Sequence, residues 1–190
     1  TIAKMVLKLE DPTSGSIEIA GSDSVFINGL ISASTVTSQR SGDVTIRGGA
    51  VAINGANISA ESFGGGGRAG SVDISGSNVD LTEAFISSST RGDGDGGGII
   101  VESDGDIAIV RSQLISEALG FGDGNAGDIG IVAANDILID DNTLVSTGTS
   151  GEGDAGLLFL SAGSITLDRS SIVGASALPG STGDGGFVVV

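Results

Sequence analysis

Gly124-Asn125-Ala126-Gly127-Asp128-Ile129-Gly130-Ile131 is a glycine-rich acidic turn that runs straight into a short alternating strand. The same phrase recurs along the chain, anchored at Gly15, Gly42, Gly70, Gly97, Gly127, Gly156 and Gly186, with spacings of 27, 28, 27, 30, 29 and 30 residues. A period this steady marks a repeat architecture in which each unit stacks on its neighbours.

Working outward from the anchor glycine, each repeat carries three apolar pairs at i, i+2. The first pair is Ile17/Ile19, Val44/Ile46, Val72/Ile74, Ile99/Val101, Ile129/Ile131, Leu158/Leu160 and Val188/Val190. The second is Val25/Ile27, Val51/Ile53, Val79/Leu81, Ile107/Ile109, Ile137/Ile139 and Ile165/Leu167. The third is weaker: Ile31/Ala33, Ile58/Ala60, Ile86/Ser88, Leu114/Ser116, Leu144/Ser146 and Ile172/Gly174. Period-2 alternation turns each pair to one face of a strand. Three strands this short cannot make an ordinary hairpin sheet, but they can wind once round a hollow triangle with the pairs inside. Stacked turns then build three parallel sheets.

The sequence therefore predicts an all-β fold: a parallel β-helix, or three-sheet solenoid, of about six coils of 27–30 residues. Right-handed winding follows from the usual chirality of parallel connections. A β-sandwich would need strand reversals for which the constant cycle leaves no place. Asn28-Gly29, Asn54-Gly55 and Asp140-Asp141-Asn142 mark the corner between the second and third strands, where asparagine and glycine supply positive φ. The glycine turn absorbs most of the length variation and reads as the bend that starts each coil. Met5, Leu7 and Leu9 share one strand face, with Lys4 and Lys8 on the other. Residues 1–14 thus read as a partial N-terminal coil or junction strand, and residues 15–190 as the β-helix, open-ended at the C-terminus.

Composition narrows the function. Of 190 residues 34 are Gly and only 2 are Pro, which argues against collagen and Pro-rich linkers. Apolar residues at 39% are too many and too regularly placed for disorder. Twenty-four acids against 8 bases give a net charge of −16, a surface that repels phosphate backbones, so nucleic acid is not an expected partner. Cys, His, Trp and Tyr are absent. That removes disulfides, the usual general base, the commonest zinc ligand and the best sugar-stacking rings. No apolar run approaches the roughly 20 residues of a membrane helix, so no membrane span is expected.

The run Gly122-x-Gly124-Asn125-Ala126-Gly127-Asp128-Ile129-x-Ile131, with the pair Ile137/Ile139 and the segments Asn57-Ile58-Ser59-Ala60 and Leu30-Ile31-Ser32-Ala33, resembles filamentous-haemagglutinin-like proteins of the two-partner secretion type. The resemblance covers residues 14–190. It implies a right-handed parallel β-helix, export across an outer membrane, and a place at the outer cell surface or in the extracellular space. An adhesive role of that kind would bring in cell-surface or matrix glycans as partners.

Three groups of residues are candidates for chemistry or contact. Asp95, Asn125, Asp154 and Asp184 form one column of turn residues, and Asp93, Asp123 and Glu152 a second. Oxygen ligands in glycine loops suit calcium, the one cofactor the sequence suggests; the alternative is solvated turns. Asp73, Asp80, Asp104 and Asp106 are the acids to weigh for a polysaccharide-acting enzyme. No long insertion or aromatic platform accompanies them, so catalysis is not expected. Ser32, Ser59, Ser87 and Ser146 read as a hydrogen-bonded ladder.

The third group reads as a contact surface, met either by a partner or by a cover that the chain itself supplies. The outward positions of the first strand change from Glu18, Thr45 and Asp73 to Ile100, Gly130, Phe159 and Val189, with Leu157 and Phe187 alongside. With Met5, Leu7 and Leu9 at one end and Val188, Val189 and Val190 at the other, the expected interface is head-to-tail. The C-terminal strand of one copy and residues 1–14 of the next would rebuild most of a coil. The sequence reading is therefore a structural, non-enzymatic filament subunit or adhesin rod segment, with a calcium-dependent adhesive or matrix module as the alternative.

Overall fold

The computed structural model describes residues 15–120 and 122–190. Among them there are 19 strands and no helix. The first coil holds β1 (Ile17–Ala20), β2 (Ser24–Ile27) and β3 (Leu30–Ser32); the second β4 (Val44–Arg47), β5 (Ala50–Asn54) and β6 (Asn57–Ser59). The third holds β7 (Val72–Gly76), β8 (Asn78–Thr82) and β9 (Phe85–Ser87); the fourth β10 (Ile99–Ser103), β11 (Ile107–Val110) and β12 (Gln113–Ala118). The fifth holds β13 (Ile129–Ala133), β14 (Asp136–Asp140) and β15 (Leu144–Thr149); the sixth β16 (Leu158–Ser161), β17 (Ser164–Leu167) and β18 (Ile172–Ala177), followed by β19 (Val188–Val189).

Every third strand pairs in parallel. Sheet one is β1-β4-β7-β10-β13-β16-β19, sheet two β2-β5-β8-β11-β14-β17, and sheet three β3-β6-β9-β12-β15-β18. This is the parallel β-solenoid of about six coils that the repeat period predicts. Like residues stack: Val44 over Ile17 and under Val72, then Ile99, Ile129, Leu158 and Val188. The inward residues of all three sheets make the core, with Ile46, Ile53, Ile58, Ile86, Ile99, Ile109, Leu114 and Ile131 at 0% exposure. A fully buried side chain of this size contributes about 1.5–3 kcal/mol, so the aliphatic columns are the main stabilising feature.

The third sheet departs from the sequence reading in its last two coils. Leu114 pairs with Val145, and Val145 with Val173, so the inward positions are Val145/Thr147 and Val173/Ala175. Leu144/Ser146 and Ile172/Gly174 are the outward neighbours. Val145 and Thr147 are fully buried, whereas Ile172 is 60% exposed. The cause is a longer corner. Leu114 follows Ile109 by five positions, but Val145 follows Ile139, and Val173 follows Leu167, by six. A shift of one residue moves the whole strand's side chains to the other face.

The corner itself explains the extra residue. Gly29, Gly55, Glu83 and Arg111 hold the single positive-φ position in coils one to four; the fifth uses two, Asp141 and Asn142, and the sixth two, Arg169 and Ser170. Glycine fills this position only in the first two coils.

The anchor glycines serve closeness rather than bending. None of them is among the positive-φ residues. From Gly42 on, each lies against the carbonyl of the anchor one coil earlier: a Cβ would sit 2.0 Å from the Gly15 oxygen at Gly42, 2.0 Å from the Gly97 oxygen at Gly127 and 1.9 Å from the Gly156 oxygen at Gly186. Buried hydroxyls tie the same carbonyls to sheet three. Ser116 donates to the Gly97 oxygen at 2.6 Å and accepts from the Gly127 N–H at 3.0 Å, and Thr147 donates to the Gly156 oxygen.

Candidate functional site

The acidic turns stack as the sequence predicts, and their geometry gives the first column a job within the chain. The Asp95 carboxylate accepts the Asn125 N–H at 3.0 Å, the Asn125 amide oxygen accepts the Asp154 N–H at 2.8 Å, and Asp154 accepts the Asp184 N–H at 2.9 Å. Each side chain thus caps a backbone donor one coil further along. Read at the same offset, two residues before the anchor glycine, the column begins with Arg40 and Arg68. Arg68 pairs with Asp95 at 2.5 Å, where the column changes sign. The same offset from the anchor glycine makes this change of sign readable in the sequence. In the second column Asp93, Asp123 and Glu152 are exposed. Among the described residues no three Asp or Glu side chains gather closely enough to hold a metal ion.

The same capping recurs elsewhere. Asp43 accepts both the N–H and the hydroxyl of Ser71, and Asp128 accepts the Leu157 N–H at 2.7 Å. The Ser59 hydroxyl donates to Ser32 at 3.0 Å. Ser87 donates instead to the Glu61 carboxylate at 2.6 Å, and Ser146 to Glu117. The serine ladder therefore runs through Ser32 and Ser59, turns to the Glu61 carboxylate at Ser87, and is interrupted by Ile115 before Ser146. Partial burial pushes the Glu117 carboxyl above its ordinary value, against the pull of Ser146.

The corner between sheets two and three carries an ion ladder that sequence reading missed. Arg111 reaches Glu83 one coil back and Asp141 one coil on, at 3.1 and 2.9 Å. Arg169 holds the buried Asp140 through two side-chain contacts. The hydrogen bonds from Arg169 keep the Asp140 carboxyl below its usual range, opposed by burial and helped by the Asp141 N–H. The partners lie 28–30 residues apart, one coil, so the repeat period was the available signal.

Of the four acids weighed for catalysis, Asp73 sits on the outer face of sheet one, between Thr45 and Ile100, and Asp80 on sheet two, between Ala52 and Ala108. The two are on different sheets. Burial first, then Asp43 and Glu102, raise the Asp73 carboxyl despite Arg47. Asp104 lines an open trough of about 800 Å³ along the corner between sheets one and two, with Arg47, Ser75, Ser77 and Glu102.

The outer face of sheet one changes along its length. Its central column runs Glu18, Thr45, Asp73, Ile100, Gly130, Phe159 and Val189 in register. Ile100, Leu157, Phe159, Phe187 and Val189 are all exposed. Val188, in register with the buried Leu158, is exposed too, as is Val190. Met5, Leu7 and Leu9 lie outside the described residues. No helix among the described residues is long and apolar enough to cross a membrane. Compared with known proteins, the chain matches no family model, no curated protein and no solved structure.

Proposed function

We propose that the chain is a structural rod module, filamentous-haemagglutinin-like in character, that extends a surface or extracellular filament or adhesin rod by head-to-tail stacking of coils. One observation carries the reading. Coils stack along one axis with like residue on like, Ile17, Val44, Val72, Ile99, Ile129 and Leu158 forming one inward column, and all three sheets continue from coil to coil in parallel. A coil of this period can pair its backbone and its apolar columns with another coil of the same period. A head-to-tail contact that does not close on itself gives a filament. The acidic skin, with its capped turns, keeps such a rod soluble along its sides.

The test is negative-stain microscopy and sedimentation of the purified chain, wild type beside Leu167→Asp and Val188→Asp. Rods that lengthen with concentration, and that both substitutions shorten to single particles, are expected. Monodisperse particles of one chain at every concentration would overturn the reading.

A further inference from the structure

The outer face of sheet one carries a second surface, lateral to the axis and separate from the stacking edge. Ile100 and Phe159 stand above and below Gly130, and Leu157 lies beside them. A Cβ on Gly130 would meet nothing within 4 Å, so the glycine opens a notch between two exposed apolar side chains. Strands of this sheet in the first three coils present Glu18, Thr45 and Asp73 at the same position. The apolar strip is thus confined to the later coils.

Its surroundings are mainly acidic, with Arg68 paired to Asp95 at one corner and Arg47 in the trough at the other. Asp95, Asp154 and Asp184 run along the corner that leads into the strip. Glu102 and Asp104 stand at the opposite corner, on the rim of the trough. Residues 96–190 contain 13 acids and only two bases, Arg111 and Arg169. Both of those bases belong to the ion ladder at the corner between sheets two and three, away from sheet one. A second copy of the chain would bring the same acidic rails against these, and an anionic lipid surface would be repelled as well.

We infer that this strip docks a cationic amphipathic segment of a partner protein, one whose apolar side chains are flanked by lysine or arginine. The apolar residues would cover Ile100, Leu157 and Phe159 and enter the notch at Gly130, and the basic residues would face the two acidic rails. Large exposed apolar patches with a polar rim are the usual form of such sites. Axial stacking pairs coil on coil instead, so the two ideas fail independently.

The experiment is calorimetric titration of the whole chain with three synthetic decapeptides: lysine alternating with leucine, glutamate alternating with leucine, and lysine alternating with serine. Only the lysine–leucine peptide is expected to bind, about tenfold more weakly as salt rises from about 50 to 200 mM. Leu157→Ser with Phe159→Ser should weaken it by about tenfold or more, with circular dichroism unchanged. Gly130→Lys, which fills open space, should do the same without touching the core. Equal binding of the lysine–serine peptide would mean charge alone, and undiminished binding by both variants would place the peptide elsewhere; either result overturns the inference. A dimer in sedimentation that Phe159→Ser abolishes would also overturn it, in favour of a second copy as the occupant.

Discussion

Gly97 lies so close above Gly70 that a Cβ on it would sit 1.8 Å from the Gly70 carbonyl oxygen. The obstacle is backbone and cannot rotate away, so the coils would have to separate. Gly97→Ala is therefore expected to cost about 3 kcal/mol, the upper range for overpacking. Gly130→Ala, in open space on the outer face of sheet one, should change stability by less than about 0.5 kcal/mol. Urea unfolding followed by circular dichroism checks both. Equal midpoints would mean that the glycine column does not set the coil spacing.

The Asp95–Asn125–Asp154–Asp184 column is a set of backbone caps. Asp154→Ala leaves the Asp184 N–H without its acceptor and should cost about 0.5–1.5 kcal/mol. Asp154→Asn keeps an oxygen in place and should be close to neutral. Because the column serves backbone N–H groups one coil further along, the melting midpoint is expected to be the same in millimolar calcium and in EGTA. A calcium-dependent rise that Asp154→Asn removes would assign the column to a metal instead.

Acid stability has a specific source at the corner between sheets two and three. Arg169 lowers the Asp140 carboxyl in the folded chain. A depressed pKa means the folded state binds fewer protons than the unfolded one as pH falls through the ordinary aspartate value of about 3.9. The contact's stabilisation is therefore full above that value and is lost as pH drops toward the folded pKa. Asp140→Asn should be less stable than wild type at pH 7, and the difference should shrink through the acid limb of the melting curve. A constant difference from pH 7 to pH 3 would exclude this account.

Glu117 has the opposite sign. Burial raises its pKa, so the folded state favours the protonated form. That preference stabilises fully below the ordinary glutamate value of about 4.3 and is lost as pH rises through the folded pKa. Glu117→Gln keeps an acceptor for Ser146 and removes the charge. It should melt above wild type at pH 8 and level with it near pH 4. Lower stability at both values would mean that the carboxylate has a partner worth more than its desolvation.

Legibility followed the period. The three sheets, the coil count and the inward pairs of sheets one and two could be read because Ile, Val and Leu recur at fixed offsets from each anchor glycine. The outward column from Glu18 to Val189 was legible for the same reason. The ion ladder was not, because Glu83, Arg111 and Asp141 are adjacent only after a full coil has closed. The role of the anchor glycines was misread. Glycine in a turn suggests positive φ, and nothing in a single strand announces that the next coil's carbonyl will lie against it. The Arg40–Arg68 start of the acidic column was visible at the same offset but hidden by a change of sign. The binding strip could be seen as an apolar column, while its charge asymmetry emerged only once Arg111 and Arg169 were placed on the far corner.

The third sheet supplies the sharpest test of register. Leu144 and Val145 are both aliphatic, and period-2 spacing from Ser146 made Leu144 the natural inward choice. The longer corner, with Asp141 and Asn142 both at positive φ, turns Val145 inward instead, and Val145 is 0% exposed. Val145→Ala should cost about 2 kcal/mol through the cavity it leaves between Leu114 and Val173. Leu144→Ser, on the outer face, should cost less than about 1 kcal/mol. Val145→Asp would bury an unpaired charge in the aliphatic column, and loss of the cooperative transition is expected. If Leu144→Ser is the more damaging of the first two, the strand sits one residue earlier and the corner carries a single left-handed residue, as it does at Arg111.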